Sequence, residues 1–362
     1  MPRRLTGLSV ALLLATAALR AQQPPAPGVS PPLERYLEAL REQAGIPGMS
    51  AAIVQDGQIT WEYGFGYQDV AARIRATPDT PYVVADLSQT LAAVLLLQCV
   101  EQRRIELDAP ASRYGAALPE PAATVRQVLT HTSADPPGEA FLYSPDRFAQ
   151  LTNVVEWCAP QPYRKSVAHR LLDRLAMKDS VPGTDLVDPT VVPEDLFEAA
   201  DLERYQKVLT RTAIGYKVDG RKRAERNDVP ATGLNAATGL VSTVRDLAEF
   251  DIALDSSQLL LEDTLNAAWT PAMTNGGASV PFGLGWFVQS YRGERVVWHF
   301  GYIPNAYSAL ILKLPARHTT FILLANSDAL SAPFQLASGD VTRSVFAALF
   351  LKRAICPLAA SC

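Results

Sequence analysis

Three polar side chains, Asp86, Ser88 and Gln89, stand at the start of a run, 87–100, whose apolar residues cover every face of a helix. A serine on the first turn of a buried helix becomes a nucleophile when a neighbouring base takes its proton, and a lysine one turn on, at i+3, can do so. Counted from Ser88, that position is Leu91; counted from Asp86, it is Gln89, whose amide is no base. No lysine or arginine lies between Arg75 and Arg103. Two other segments carry catalytic-type groups: Tyr143-Ser144-Pro145, and His299-Phe300-Gly301 at the end of an expected strand.

An acid followed three residues later by Gln, ahead of an apolar run, is a capping-box pattern in which each side chain bonds the other residue's backbone amide. Asp86 and Gln89 are read that way, as a helix cap worth about 1 kcal/mol. Nucleophilic attack by the Asp86 carboxylate is the alternative. The helix dipole opposes it by stabilising the anion, and an acyl-aspartyl anhydride is a high-energy intermediate. Tyr143 reads either as a packed loop aromatic or as a base. His299, with no basic partner, is expected to hydrogen-bond Tyr143. His131, His169, His299 and His318 are scattered without carboxylates at ligand spacing, so neither a metal site nor a cofactor is expected.

The elements that must position these groups follow from periodicity and turns. Residues 32–44 have helical spacing through Leu33, Tyr36, Leu37 and Leu40. Strands are expected at 49–55 and 58–65, joined by the hairpin dipeptide Asp56-Gly57. The middle reads as helical fragments, among them 201–212 and 242–254. Strands return at 285–291, 295–299, 307–314 and 319–325, with a turn at Arg292-Gly293, and a closing helix is expected over 334–352. The basic stretch 217–226 has no interleaved aromatics and reads as a solvated loop.

The order of short motifs resembles that of the serine β-lactamase and penicillin-binding-protein superfamily, above all its class C-like esterases and D-alanyl-D-alanine peptidases. The likeness runs from about Gly45 to Asn326 and rests on five landmarks beyond the helix start: Ile105-Glu-Leu107-Asp108-Ala-Pro110, Leu129-Thr130-His131-Thr132-Ser133, Leu175-Ala-Met177-Lys178-Asp-Ser-Val181-Pro182-Gly183, the segment 233–250, and Phe282-Gly283-Leu-Gly285-Trp286. The resemblance implies an α/β (α+β) fold: an antiparallel sheet from 33–85 and 280–355, flanked by helices, plus a mostly helical subdomain over 86–279. It places Asp86 and Gln89 where the family has the Ser and Lys of S-x-x-K. Tyr143-Ser144-Pro145 falls on Tyr-Ser-Asn, and His299-Phe300-Gly301 on His-x-Gly. A second glycine usual near Asn305 or Ala306 is missing, which implies a narrower or altered groove. By the same resemblance His131 braces a loop.

Arg3 and Arg4, an apolar run over 8–19 and Ala21 read as a secretory signal peptide over 1–21, with an uncleaved anchor as the alternative. Residues 22–32 hold five prolines and read as an extended tether ahead of a domain over 33–355, with 356–362 as a tail. The formal charge is −4, and near −7 once Arg3, Arg4 and Arg20 are removed, which excludes nucleic acid and anionic membrane surfaces as partners. Cys99 reads as a buried small hydrophobe. Cys356 and Cys362 could close a small loop, and Cys158 is left without an obvious partner.

The expectation is a secreted or periplasmic relative of serine hydrolases that has lost its nucleophile and base. It would act as a binding or scaffolding protein near Asp86, Tyr143, His299 and Gly301, for a peptidoglycan peptide, a small molecule or an envelope protein. The competing reading is an active hydrolase of β-lactams, esters or D-amino-acid peptides working through Asp86 or Ser88.

Overall fold

Asp56 and Gly57 both take left-handed backbone, with φ of 52° and 74°, and so turn β1 (Gly48–Gln55) back onto β2 (Gln58–Asp69). The structure is a computed structural model that describes residues 31–134 and 136–356. After the hairpin come β3 (Ile74–Arg75), β4 (Tyr82–Val83), β5 (Val181–Pro182), β6 (Tyr216–Val218), β7 (Ala224–Arg226) and β8 (Leu240–Ser242). The last four strands are β9 (Phe287–Tyr291), β10 (Glu294–Ile303), β11 (Tyr307–Leu314) and β12 (Thr319–Ala325). The main sheet has the order β3-β2-β1-β12-β11-β10-β9. It is antiparallel, and the two ends of the chain meet where Met49 pairs with Ala325 and Gln55 with Thr319.

The helices are α1 (Pro31–Ala44), α2 (Ser88–Glu101), α3 (Val125–Leu129), α4 (Pro145–Ala149), α5 (Leu151–Cys158), α6 (Tyr163–Val167), α7 (Ala199–Leu209), α8 (Val244–Asp255), α9 (Glu262–Ala268) and α10 (Val345–Ile355). Leu33 and Leu37 of α1 and Phe346 and Phe350 of α10 cover one face of the sheet, against Trp298, Phe300 and Phe321. The other face packs on α2 and α8 through Ala52, Val297, Ile311 and Ile322. Strand alternation therefore turns Val297, His299 and Gly301 of β10 toward α2. A second sheet, β4-β8-β5, lies at the start of that helix.

Residues 88–99 of α2 are all buried, as expected of a helix apolar on every side. Cys99 is not a lone hydrophobe, however: it forms a disulfide with Cys158 and ties α2 to α5, with 6.2 Å between the Cα atoms. The pairing joins positions 59 residues apart, so it depends on helix packing that no local pattern reports. Cys356 is also disulfide-bonded, and its expected partner Cys362 lies outside the described residues. Opening the first bridge with Cys158→Ala is expected to lower the unfolding free energy by about 4 kcal/mol, the loop-entropy value for that separation, measured by urea unfolding without reductant.

Two expected elements differ in extent. The closing helix starts at Val345, because Gln335 and Gly339 take left-handed backbone and break 332–343 into 3-10 turns; Ser344 then caps α10. The basic stretch near 217–226 is a small hairpin, β6–β7, whose Arg223 and Arg226 pair with Asp219 and Asp228 at the surface.

Candidate functional site

The site is built where β10 passes the start of α2. Ala85, in left-handed backbone at φ 50°, opens a 3-10 turn over Ala85–Leu87 that leads directly into the helix. A left-handed alanine is strained backbone, held here by the sheet around it: Val84 N–H donates to Leu240 O at 3.0 Å. Gly301 answers this turn from β10. A Cβ there would stand 2.2 Å from Val84 O and 2.7 Å from the Asp86 nitrogen, so only glycine lets the strand come this close.

Asp86 and Gln89 do not form the expected capping box. Neither the 3-10 turn nor α2 has a side-chain cap, because the turn already supplies helical geometry and Leu87 N–H bonds Val84 O. A capping box is found instead at Thr124 and Gln127, ahead of α3. Asp86 is 9% exposed and accepts a hydrogen bond from the backbone N–H of Tyr302. Burial, opposed by that bond and aided by the nearby Asp146 carboxylate, pushes its pKa up to about 7. The helix dipole, expected to depress it, is outweighed by desolvation.

Ser88 is buried at 1% exposure, with Oγ donating to Ala85 O at 2.7 Å and accepting from Leu240 N at 3.3 Å. It pins the helix start to β8 and does not face a ligand as a nucleophile.

Gln89 is engaged on both ends of its amide. Its Nε2 donates to the Tyr143 hydroxyl at 3.1 Å, and its Oε1 lies 3.1 Å from His131 Nε2. His131 Nδ1 accepts from the backbone N–H of Ser144 at 3.1 Å, so the histidine both braces the 143–144 loop and reaches the position expected of a lysine. Burial holds His131 well below the ordinary histidine range, with a smaller contribution from His299. Pro145 is the first residue of α4, where its missing N–H costs nothing, and Ser144 caps that helix. Tyr143 is half-buried, its ring centroid 4.5 Å from His131 and 5.4 Å from Phe300. Burial first and the Asp86 charge second raise its phenol well above the usual value.

His299 does not bond Tyr143. The ring centroids are 6.4 Å apart, and His299 Nδ1 donates instead to Phe300 O at 2.7 Å. Its Nε2 is buried without a hydrogen-bond partner, and burial pulls its pKa down to about 3. It is thus a neutral residue of the packed layer under the site. The turn that lacks the second glycine is made by Asn305 in left-handed backbone at φ 61°, a conformation asparagine tolerates better than most residues.

A cavity of about 320 Å³ is lined by Val83, Leu209, Ile214, Val229, Ile303 and Tyr307, with Thr184, Thr212 and Asn227 among its polar groups; Asp86, Gln89, Tyr143 and His299 do not line it. Val83 leads into the Ala85–Leu87 turn, and Ile303 follows Tyr302. No group of three potential metal-ligating side chains occurs among the described residues, and no helix among them is long and apolar enough to cross a membrane.

The family model for β-lactamase matches residues 33–339. The chain belongs to the β-lactamase family. Among curated relatives of this β-lactamase-family chain, Protein flp of Staphylococcus aureus (strain MW2) is 22% identical over 339 residues, 81% of this chain and 62% of flp. The chain therefore spans less than two thirds of that relative. PbpX of Bacillus subtilis (strain 168) is 26% identical over 276 residues, 74% of this chain and 68% of PbpX. Among solved structures, the octameric penicillin-binding protein homologue from Pyrococcus abyssi superposes with a TM-score of 0.71 at 22% identity, covering 88% of this chain and 76% of that one. The antiparallel sheet with its flanking helices is the fold shared with these penicillin-binding-protein relatives.

What sequence reading missed at the site is the contact of His131 with Gln89, 42 residues away, and the hydrogen bond from the Tyr302 N–H to Asp86. Neither contact leaves a local pattern; both arise where β10 and the 131–144 loop converge on one helix start.

Proposed function

We propose that this chain is an exported, catalytically silent member of the β-lactamase family that binds a ligand at the Asp86 site without hydrolysing it. The observation that carries the reading is Gln89. Where the resemblance calls for a lysine to deprotonate a serine, an amide is hydrogen-bonded to His131 and Tyr143, both neutral at physiological pH. None of these three groups supplies a general base near pH 7. The 320 Å³ cavity reached by Val83 and Ile303, chain neighbours of the Ala85–Leu87 turn and of Tyr302, is of the size that holds a small molecule or a short peptide segment. A peptidoglycan stem peptide or a small molecule is the ligand class that the likeness to penicillin-binding proteins supports. The signal-like residues 1–21 and the Cys99–Cys158 bridge support export to an oxidising compartment, either periplasmic or extracellular.

One observation favours a second reading. A carboxyl group titrating near 7 is poised for acid–base work, so Asp86 itself could act on an ester, amide or β-lactam.

Steady-state hydrolysis of nitrocefin and a p-nitrophenyl ester separates the two. The purified parent is expected to give no turnover above buffer. The Asp86→Ser, Gln89→Lys double variant is expected to gain roughly 10²-fold or more over the buffer rate, the scale of general-base assistance. Turnover by the parent that Asp86→Ala abolishes overturns the silent reading and makes Asp86 the catalyst.

A further inference from the structure

Of the five tryptophans, Trp157 alone stands at the surface: it is 54% exposed, and the other four are 8% exposed or less. It lies on α5, one position before the Cys158 that bridges to α2, so the backbone beneath it is held. Arg104 Nη1 also donates to Cys158 O at 2.9 Å, and the indole rests on the buried Tyr114 ring, with centroids 4.9 Å apart and planes at 67°. A ring fixed in this way loses little freedom when a ligand covers it.

Gln150 and Asn153 share the face of Trp157, because positions i, i+3 and i+7 align along a helix and Gln150 already has helical backbone at φ −65°. Each amide is anchored at one end to the loop after Tyr114. The Ala117 N–H can only donate, so its partner at 3.1 Å is Gln150 Oε1; Gly115 O can only accept, so its partner at 3.0 Å is Asn153 Nδ2. The outer ends are thereby fixed as an NH2 donor on Gln150 and a carbonyl acceptor on Asn153, one turn apart. Neither end has another hydrogen-bond partner among the described residues.

We propose that this face of α5 is a binding platform for an N-acetylated sugar of a glycan chain. An acetamido group carries one N–H donor and one carbonyl acceptor, the complement of the Asn153 and Gln150 ends. The C–H face of a pyranose ring, slightly positive, suits the negative face of the indole. Charge agrees with a neutral ligand: the three side chains are uncharged, and Arg113, over the Tyr114 ring, is paired with Glu106 at 3.5 Å. Trp157 lies beside the bridge to Cys99, at the opposite end of α2 from Asp86, so the inference goes beyond the reading of that site and does not depend on it.

Calorimetric titration of the full chain with chitotetraose, the tetramer of N-acetylglucosamine, tests it, with cellotetraose as the same chain of glucose units without acetamido groups. Chitotetraose is expected to bind with a Kd on the order of a millimolar and to protect the tryptophan fluorescence from acrylamide quenching. Cellotetraose is expected to bind about tenfold more weakly, lacking the amide hydrogen bonds. Gln150→Glu keeps an oxygen for the Ala117 N–H and replaces the donor by an acceptor. It is expected to weaken chitotetraose about tenfold and to leave cellotetraose unchanged, a contrast that a merely structural role would not give. Trp157→Ala is expected to abolish binding of both; should it not melt cooperatively, the Gln150→Glu contrast carries the test.

A folded parent that binds neither sugar overturns the proposal, as does equal affinity for the two. Unchanged chitotetraose binding in a folded Trp157→Ala or Gln150→Glu variant places the sugar elsewhere and overturns this site. Sedimentation with phosphatidylcholine vesicles in the absence of sugar binding would make Trp157 a bilayer contact, and equally overturns it.

Discussion

Lys313→Met is expected to lower the unfolding free energy by about 3–5 kcal/mol, the cost of leaving a buried charge without its partner. Lys313 lies on the α8-facing side of β11 at 1% exposure, and Asp251, its ion-pair partner from α8, is fully buried. The ammonium also meets Asp255 at 3.0 Å and the Thr320 hydroxyl at 3.0 Å, and sits 5.5 Å from the Trp269 ring centroid. Asp251 Oδ2 already lacks a hydrogen-bond partner, so the carboxylate has little else to turn to once the lysine is gone. Urea unfolding at pH 7 measures the loss. It should shrink at lower pH, where protonating Asp251 removes the stranded charge. The Lys313→Met, Asp251→Leu double variant should recover most of it, because two apolar side chains leave no uncompensated charge. A single variant as stable as the parent would mean that α8 is not held to the sheet by this pair.

Asp86→Asn is expected to stabilise the fold, and only above the acid range. The carboxyl titrates near 3.8 in the unfolded chain and near 7 in the folded one, so the folded state holds its proton more tightly. The parent is therefore unpenalised below about pH 4, loses stability as pH rises from about 4 to about 7, and pays the full difference above. Three pK units correspond to roughly 4 kcal/mol. The asparagine variant should match the parent at pH 4 and exceed it by that order at pH 8. Asp246, buried beside Ser180 and also pushed up to about 7, contributes the same slope to both proteins, so the difference isolates position 86. A gain independent of pH would instead point to better packing of the amide.

The parts of the fold legible in the sequence are those set by neighbours along the chain. Asp56-Gly57 and Arg292-Gly293 both adopt the left-handed pairs that tight hairpins require. The all-round apolar run after Asp86 became the buried α2, and the β-rich runs at both ends became one antiparallel sheet. The order of short motifs was enough to indicate the β-lactamase family. The absence of a basic residue between Arg75 and Arg103 is a fact of sequence alone, and it leaves Gln89 at the place where the resemblance expects the lysine of S-x-x-K.

Tertiary structure decided the rest, because the deciding contacts join residues far apart in the chain. Asp86 and Gln89 have the spacing of a capping box, but a strained alanine and a 3-10 turn supply the helix start. That frees the acid to meet Tyr302 and the amide to meet Tyr143 and His131. Cys99 and Cys158 read as unrelated until α2 and α5 pack together. His299 looked like a partner for Tyr143 until strand geometry turned its Nδ1 to its neighbour's carbonyl. Which groups are present is written in residue order. Which of them share a desolvated space, and so how their protons and charges are held, depends on burial and on backbones brought within a few ångströms by the folded sheet.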